Sequence, residues 1–548
     1  MPYIQSAPRP TNRWRRDRAL RDAVRRLLPP KIWPIADDAL DTLGHRTSGE
    51  LLDLGAAAEA NPPRHVPYDA WGHRIDRIQI DPSWTALVAA GQQAGLVAAV
   101  YDPLYAAHGR VVQAALIQLF EAGTANATCP LSMSDGAARV LMTHDPQLAD
   151  RWVAALVARD AAVTSGQWMT EQTGGSDVSR LQTRATRDAQ GRWRLHGTKW
   201  FTSAVTSDIA LVLARPEHAE PGSRGLSLFL LQTRTDDGQW NQLRVRRLKD
   251  KLGTRALPTA ELDLTGAVAV AVGGSGDGVR KVASMLHVTR LWTAHGSVGA
   301  VGHLLTLARD YAARREVFGR VLRDQPLHRA WLAELATTYE AMVVLSFRAA
   351  ELVGRAEHGD AYAATLARVV VPLAKLACTR QGVDTASQLL ESFGGAGYLE
   401  DSGIPAIFRN VHVQPIWEGT SSVVAHDVLR ALRLPGVGAA YLEDMADHLR
   451  GCDHDLLTAP VTQIGKAVER IALQMATPAP ADGRALAWAM ARTYQAVLLC
   501  EAAAWALRGS GHRRAVSAAR AFAQRRLVRS SLPDEDAAAL AFPEDRSV

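Results

Sequence analysis

The chain has 548 residues, enough for about three to four structural units. Hydrophobic residues make up 47% and charged residues 22%, a balance that excludes a disordered or fibrous chain and predicts a core-forming protein. The net charge of +6 and a pI near 9.2 admit an acidic ligand or nucleic acid and require neither.

The N-terminus carries Arg9, Arg13, Arg15, Arg16, Arg18, Arg21, Arg25 and Arg26. Asp17 and Asp22 among them argue against an organellar transit segment, and no apolar run follows that would make a secretory signal. The expectation is a cytoplasmic, soluble protein. Its apolar stretches are broken by Arg, Asp or Gly short of the roughly 18–20 residues a spanning helix needs, so no membrane partner is expected.

Residues 1–160 read as mostly helical, with apolar side chains at helical spacing over Ser83 to Tyr101 and Val111 to Gly123. From residue 161 to 275 short strand-like runs take over: Trp193 to His196, Ile209 to Leu213 and Leu226 to Leu230, separated by Gly, Pro and Asp. Gly273-Gly274-Ser275-Gly276-Asp277-Gly278 reads as a connecting loop. It lacks the Lys-Ser/Thr of a phosphate-binding loop. Residues 276–435 turn helical again, with long amphipathic candidates at Val298 to Tyr311, Ala330 to Val353 and Ala364 to Leu390. A final Ala-rich helical block, residues 436–548, ends in the acidic run Asp534-Glu535-Asp536. The fold class is therefore α+β, mainly α. Cys129, Cys378, Cys452 and Cys500 lie far apart with no CxxC spacing, which gives no support for a zinc site or a redox pair; no metal is expected.

Four motifs carry chemistry. Met169-Thr170-Glu171-Gln172-Thr173-Gly174-Gly175-Ser176-Asp177 pairs adjacent glycines, which let a backbone approach a flat ligand, with the hydroxyls of Thr170 and Ser176. Gly197-Thr198-Lys199-Trp200-Phe201-Thr202-Ser203 sets aromatic faces beside hydroxyls, suited to a conjugated ring or to an ordinary core strand. Arg314-Arg315-Glu316-Val317-Phe318-Gly319, followed by Gln325-Pro326, offers a guanidinium fork for a diphosphate, or a cation at a helix C-terminus. Phe393-Gly394-Gly395-Ala396-Gly397-Tyr398 precedes Arg409 and Ile416-Trp417-Glu418-Gly419-Thr420-Ser421-Ser422. There a carboxylate stands between Trp and Gly, where desolvation would make it a stronger base unless it serves as a helix cap.

In this order and at these separations the motifs resemble the acyl-CoA dehydrogenase superfamily over about residues 50–435. The likeness is greatest to its AidB-like branch, through Asn61-Pro62-Pro63, Tyr68-Asp69-Ala70 with Gly72, Leu248 to Gly253 and the extra C-terminal block. The resemblance implies an N-terminal helical domain, a middle β domain and a second helical domain holding FAD, plus a C-terminal helical domain. It implies flavin or substrate contacts for Met169, Thr170 and Ser176, and ring contacts for Phe201, Thr202 and Ser203. Arg315, with Phe318 and Gln325 nearby, is implied to bind the FAD diphosphate of a neighbouring subunit, hence a homo-oligomer, expected to be a tetramer. Gly395, Thr420 and Ser422 complete the implied cofactor contacts, and Arg290 joins Thr170 and Ser176 at the substrate. Glu391 and Ser422 depart from the Gln and the Gln or Asn common in dehydrogenases.

The family places its base either in the Trp-Glu-Gly segment or just before an Arg on the first helix of the second helical domain. Here the second position is Thr289, before Arg290, and Thr is no carboxylate base, which leaves Glu418. The implied reaction is α,β-dehydrogenation of an acyl-CoA, with an electron-transfer flavoprotein as acceptor. AidB-like members also suggest an alternative: a flavoprotein that binds duplex DNA, protects it from alkylation and has little dehydrogenase activity. Arg508, Arg513, Arg514, Arg520, Arg525, Arg526 and Arg529, with His512 and no acidic residue between the first and last, form a stripe for phosphate contacts or a solvated helical face. Arg430, Arg513, Arg514, Arg525 and Arg526 are the DNA-contact candidates, and any such binding would ignore sequence.

Overall fold

The computed structural model describes residues 5–477, 482–509, 513–527 and 540. Arg529, His512 and the acidic run Asp534 to Asp536 lie outside the described residues. The chain forms two compact units, each assembled from separated stretches: residues 1–49, 102–122 and 290–548 in one, residues 50–101 and 123–289 in the other.

The second of these is built on a seven-stranded sheet. Its order runs Ser165–Trp168, Ile209–Pro216, Arg184–Arg187, Trp193–Ser203, Thr259–Ala271, Ser227–Gln232, with Leu243–Leu248 paired to Thr259–Ala271. Ile209–Pro216 also pairs antiparallel with Ser227–Gln232, Leu211 opposite Leu230, and this closes the path on itself. Both faces of the Ile209–Pro216 strand are therefore covered. Ile209, Leu211 and Leu213 pack with Leu141, Leu148, Leu156 and Met285 of the flanking helices. Ala210, Val212 and Ala214 pack inside with Phe229, Val245 and Leu262. A strand buried on both faces reads as a continuous apolar run rather than an alternating one. Asp145 caps the Pro146–Leu156 helix by accepting from the Leu148 N–H at 3.0 Å. Lys281 donates to the carbonyls of Val272, Gly273 and Gly274 at 2.8–3.0 Å, so the glycine-rich stretch is a tied loop.

One element departs from the expected helical start. Arg64–Tyr68 and Arg74–Gln79 form an antiparallel hairpin. Asp69 Oδ1 accepts from the N–H groups of Trp71 and His73 at 2.8 and 2.9 Å and turns the chain. Buried Asp76 then accepts from Arg74 and from the Val245 N–H, and its other oxygen lies 2.8 Å from His65 Nε2.

The other unit is helical. Pro326–Glu357 and Ala361–Glu391 are its longest uninterrupted members, and Asp360 caps the latter through the Ala363 N–H at 2.9 Å. Ala361–Glu391 corrects one expectation, since by length and composition it could cross a membrane. It is a core helix, buried along most of its length from Ala363 to Leu389. The C-terminal Gly483–Gly509 helix packs on both long helices. Two of the N-terminal arginines are tied into the same unit. Arg13 is buried and donates to Asp17, Tyr339 and the Gly299 carbonyl, and Arg26 pairs with Glu501 at 2.5 Å.

Candidate functional site

In the sheet-bearing unit, the first two motifs meet through the backbone. Trp200 N–H donates to the Thr170 carbonyl at 2.9 Å. Beneath this contact lies a fully buried ion pair, Lys199 Nζ to Glu171 Oε1 at 2.8 Å. Glu171 also accepts from the N–H groups of Gln182 and Thr183, and Lys199 donates to the Leu213 carbonyl. Burial alone would raise the Glu171 carboxyl, but the Lys199 charge and these hydrogen bonds hold it below its ordinary range. Gly175 allows a close approach here, since a Cβ would sit 2.7 Å from Thr170 Oγ1.

The second motif carries a register shift: Lys199 faces Leu262 and Thr202 faces Ala260, one residue too many on the first strand. This bulge at Trp200-Phe201 breaks strand alternation. Lys199 and Thr202 both turn inward, and Phe201 turns outward with 49% of its surface exposed. Thr202 Oγ1 donates to the Ala260 carbonyl at 2.8 Å, so this hydroxyl is committed within the sheet. Ser203 Oγ lies 3.2 Å from Thr259 Oγ1. Met169 and Thr170 are half-buried and Ser176 is exposed. Thr289 is buried and donates to the Met285 carbonyl within its helix.

In the helical unit, Glu418 sits on the turn that precedes the Ser421–Leu432 helix. Its φ is +56° and that of Gly419 is +102°. A left-handed glutamate is uncommon and costs about 1–3 kcal/mol, so surrounding contacts must impose it. They do. Buried Arg290 donates from Nε to the Glu418 carbonyl at 3.2 Å and pairs with Asp427 at 2.6 Å, which in turn meets Arg368 at 3.3 Å. Lys375 donates to the Pro415 carbonyl at 3.2 Å and to the Gly419 carbonyl. Trp417 Nε1 donates to Gln414, which is held by Glu121. Arg290, implied to touch substrate, thus has its guanidinium engaged with this loop. Thr420 caps the following helix, and Ser422 is exposed in its first turn.

Arg315, Phe318 and Gln325 come together around one small hairpin, Glu316–Val317 against Arg320–Val321. Gln325 donates to the Val317 carbonyl at 2.8 Å and pins the hairpin to the helix it precedes. Phe318 occupies the turn at φ +49° and is 99% exposed. Gly395 lies in an exposed tight turn with open space where a Cβ would point.

The arginine stripe needs correction. Arg514 is buried and its guanidinium lies between Glu340 and Asp22, the latter at 2.6 Å. Arg525 pairs with Glu334, and Arg526 donates to Thr338 at 3.2 Å. The acids that meet Arg514 and Arg525 come from distant segments of the chain. Arg513 and Arg430 remain exposed.

The C-terminal block is also tied down by His448, whose ring nitrogens each lie 3.3 Å from a carboxylate, Asp444 and Glu501. Burial would lower its pKa, but the two acids outweigh burial and push it up to about 9. Its stabilisation is therefore complete below its ordinary value of 6.5 and is lost as pH rises through about 9. In thermal unfolding scans across this window, wild type should lose more stability than His448→Gln. Parallel curves would contradict the charged assignment.

Sequence reasoning missed the Glu171–Lys199 pair and Lys375. The signal for Lys375 was a single lysine within the apolar stretch Val369 to Cys378.

A closed β unit with a bulged aromatic strand, joined in one chain to a helical unit that presents a clamped glutamate, is the division of labour of the acyl-CoA dehydrogenase fold. Comparison with known proteins agrees. Residues 5–161 match the adaptive response protein AidB N-terminal domain, residues 166–267 the acyl-CoA dehydrogenase middle domain, and residues 276–433 the acyl-CoA dehydrogenase C-terminal domain. Acyl-CoA dehydrogenase family member 11 of Caenorhabditis elegans is 40% identical over 445 residues, 78% of this chain and 72% of that protein. AidB of Escherichia coli (strain K12) is 33% identical over 463 residues, 82% of each. The solved structure of Caenorhabditis elegans ACDH-11 in complex with C11-CoA superposes with a TM-score of 0.93 at 34% identity, covering 98% of this chain and 94% of that one. The chain belongs to the acyl-CoA dehydrogenase family, in the branch that carries the AidB-type N-terminal domain.

Proposed function

We propose that the chain is an FAD-dependent acyl-CoA dehydrogenase whose base is Glu418. The observation that carries this reading is the left-handed Glu418 on a loop clamped by two buried cations, Arg290 and Lys375. Such strain persists only where the surroundings impose it, and it gathers at reacting groups.

FAD is the cofactor, and the residues present fit it. Phe201 offers an outward aromatic face beside the Thr170 loop, Phe318 offers another on the pinned hairpin with Arg315, and Gly395 leaves room for close approach. Bound FAD supplies the hydride acceptor. Glu418 takes the α-proton of the acyl thioester, while Met169, Thr170 and Ser176 line the ring and substrate. Ser203, Thr420 and Ser422 offer further polar contacts. Arg315 reaches the diphosphate of a neighbouring subunit in a homotetramer, and an electron-transfer flavoprotein in the cytoplasm receives the electrons. The C11-CoA in complex with ACDH-11 supports an acyl-CoA as substrate.

The purified protein should carry FAD and, with an artificial electron acceptor, convert an acyl-CoA into a product lighter by two hydrogens. A folded protein that cannot be loaded with FAD would contradict this. Duplex DNA binding is the second reading and rests on the exposed Arg430 and Arg513, with Arg526 as a further candidate. Each phosphate contact should contribute about −0.9 to the log–log salt slope. Replacing Arg430 and Arg513 with Ala should flatten that slope, and an unchanged slope would remove them as contacts.

A further inference from the structure

The reading of Glu418 as base leaves one buried cation unexplained. Lys375 lies in the middle of the Ala361–Glu391 core helix, 1% exposed, among Val371, Leu373, Ala374 and Leu376. A lysine has no reason to occupy such a place unless its ammonium is used, because an isolated charge in an apolar core is costly. Its donors face one target, the turn that carries Glu418. They hold the carbonyls of Pro415 and Gly419, which bracket the glutamate on either side. Arg290 holds the carbonyl of Glu418 itself. The roles of the two cations differ. The Arg290 charge is met by Asp427, which also meets Arg368. The carboxylate that acts on Lys375 is that of Glu418 itself.

We infer that Lys375 is the positioning residue of the base: it fixes the Pro415–Gly419 turn and supplies the positive charge that keeps Glu418 ionised until it takes the α-proton. This inference rests on Glu418 being the base. The charged groups acting on the Lys375 ammonium are Glu418 and Arg290, with Asp427 and Arg368 beyond Arg290. Burial pulls the Lys375 pKa down to about 7, Glu418 opposes that fall, and Arg290 adds to it. The cation is thus poised where its loss would be felt by the base.

The test uses FAD-loaded protein and the β-thia analogue of octanoyl-CoA. Its α-proton is removable, but the sulfur at the β position has no hydride to give. Proton removal is then read alone, as the charge-transfer absorbance of the anionic ligand against oxidised flavin, as a function of pH. Removing a nearby opposite charge raises the pH at which a carboxylate ionises. Lys375→Met should therefore move the acid midpoint of the band up by about one to two pH units. Lys375→Arg, which keeps the charge, should bring it back towards wild type. Where Lys375→Met does not fold, Lys375→Gln, which retains a donor and lacks the charge, carries the same expectation. FAD content reports folding in each. A band abolished by Glu418→Gln, with an unmoved midpoint in the Lys375 variants, would overturn the inference and leave the base in place. A band that persists in Glu418→Gln would overturn the base and the inference together.

Discussion

Glu418→Gln is expected to retain FAD and to lose reduction by acyl-CoA by at least about 10²–10⁴-fold, the usual contribution of a general base. The amide is nearly isosteric, and the contacts that hold the turn are made by backbone carbonyls at Pro415, Glu418 and Gly419, which the substitution does not touch. Flavin content should therefore match wild type, and the loss should fall on the rate of flavin reduction. The other family position for a base holds Thr289, whose hydroxyl is committed to the Met285 carbonyl, so no carboxylate there can take over. Stopped-flow reduction at wild-type rate in the variant would place the base elsewhere.

Lys199→Met should have the largest effect on stability and cofactor retention. It leaves the Glu171 carboxylate buried without its counter-charge, and breaking a buried pair from one side costs about 3–5 kcal/mol. The effect is local to the Thr170 and Trp200-Phe201 segments, since Glu171 follows Thr170 and accepts from the Gln182 and Thr183 N–H groups, and Lys199 opens the bulge that turns Phe201 outward. The variant should unfold at lower denaturant and release FAD. Adding Glu171→Gln removes the orphaned charge while keeping an acceptor, so the double variant should regain part of the stability. Equal stability of the single variant and wild type, by denaturant titration, would show that the pair is dispensable.

The sheet was legible in the sequence where burial on both faces wrote a continuous apolar run, as at Ile209 to Leu213, and the long helices were legible through their spacing. The hairpin at residues 64–79 was not, because its strands are polar and its key carboxylate, Asp76, draws the N–H of Val245 from 169 residues away. The bulge at Trp200-Phe201 was equally hidden: alternation depends on the partner strand's register, which no local pattern records. The arginine stripe misled for the same reason. No acid stands between Arg508 and Arg529 in sequence, yet Asp22, Glu340 and Glu334 reach Arg514 and Arg525 in space. The motif carrying Glu418 was readable, whereas the two cations that impose its backbone conformation came from separate helices.

Anaerobic titration of the FAD-loaded protein with acyl-CoAs of increasing chain length tests the dehydrogenase assignment most directly. Reduction by Glu418-driven α-proton removal predicts that at least one thioester bleaches the flavin, with matching formation of the 2-enoyl-CoA. A flavin that stays oxidised with every saturated thioester offered would contradict the assignment.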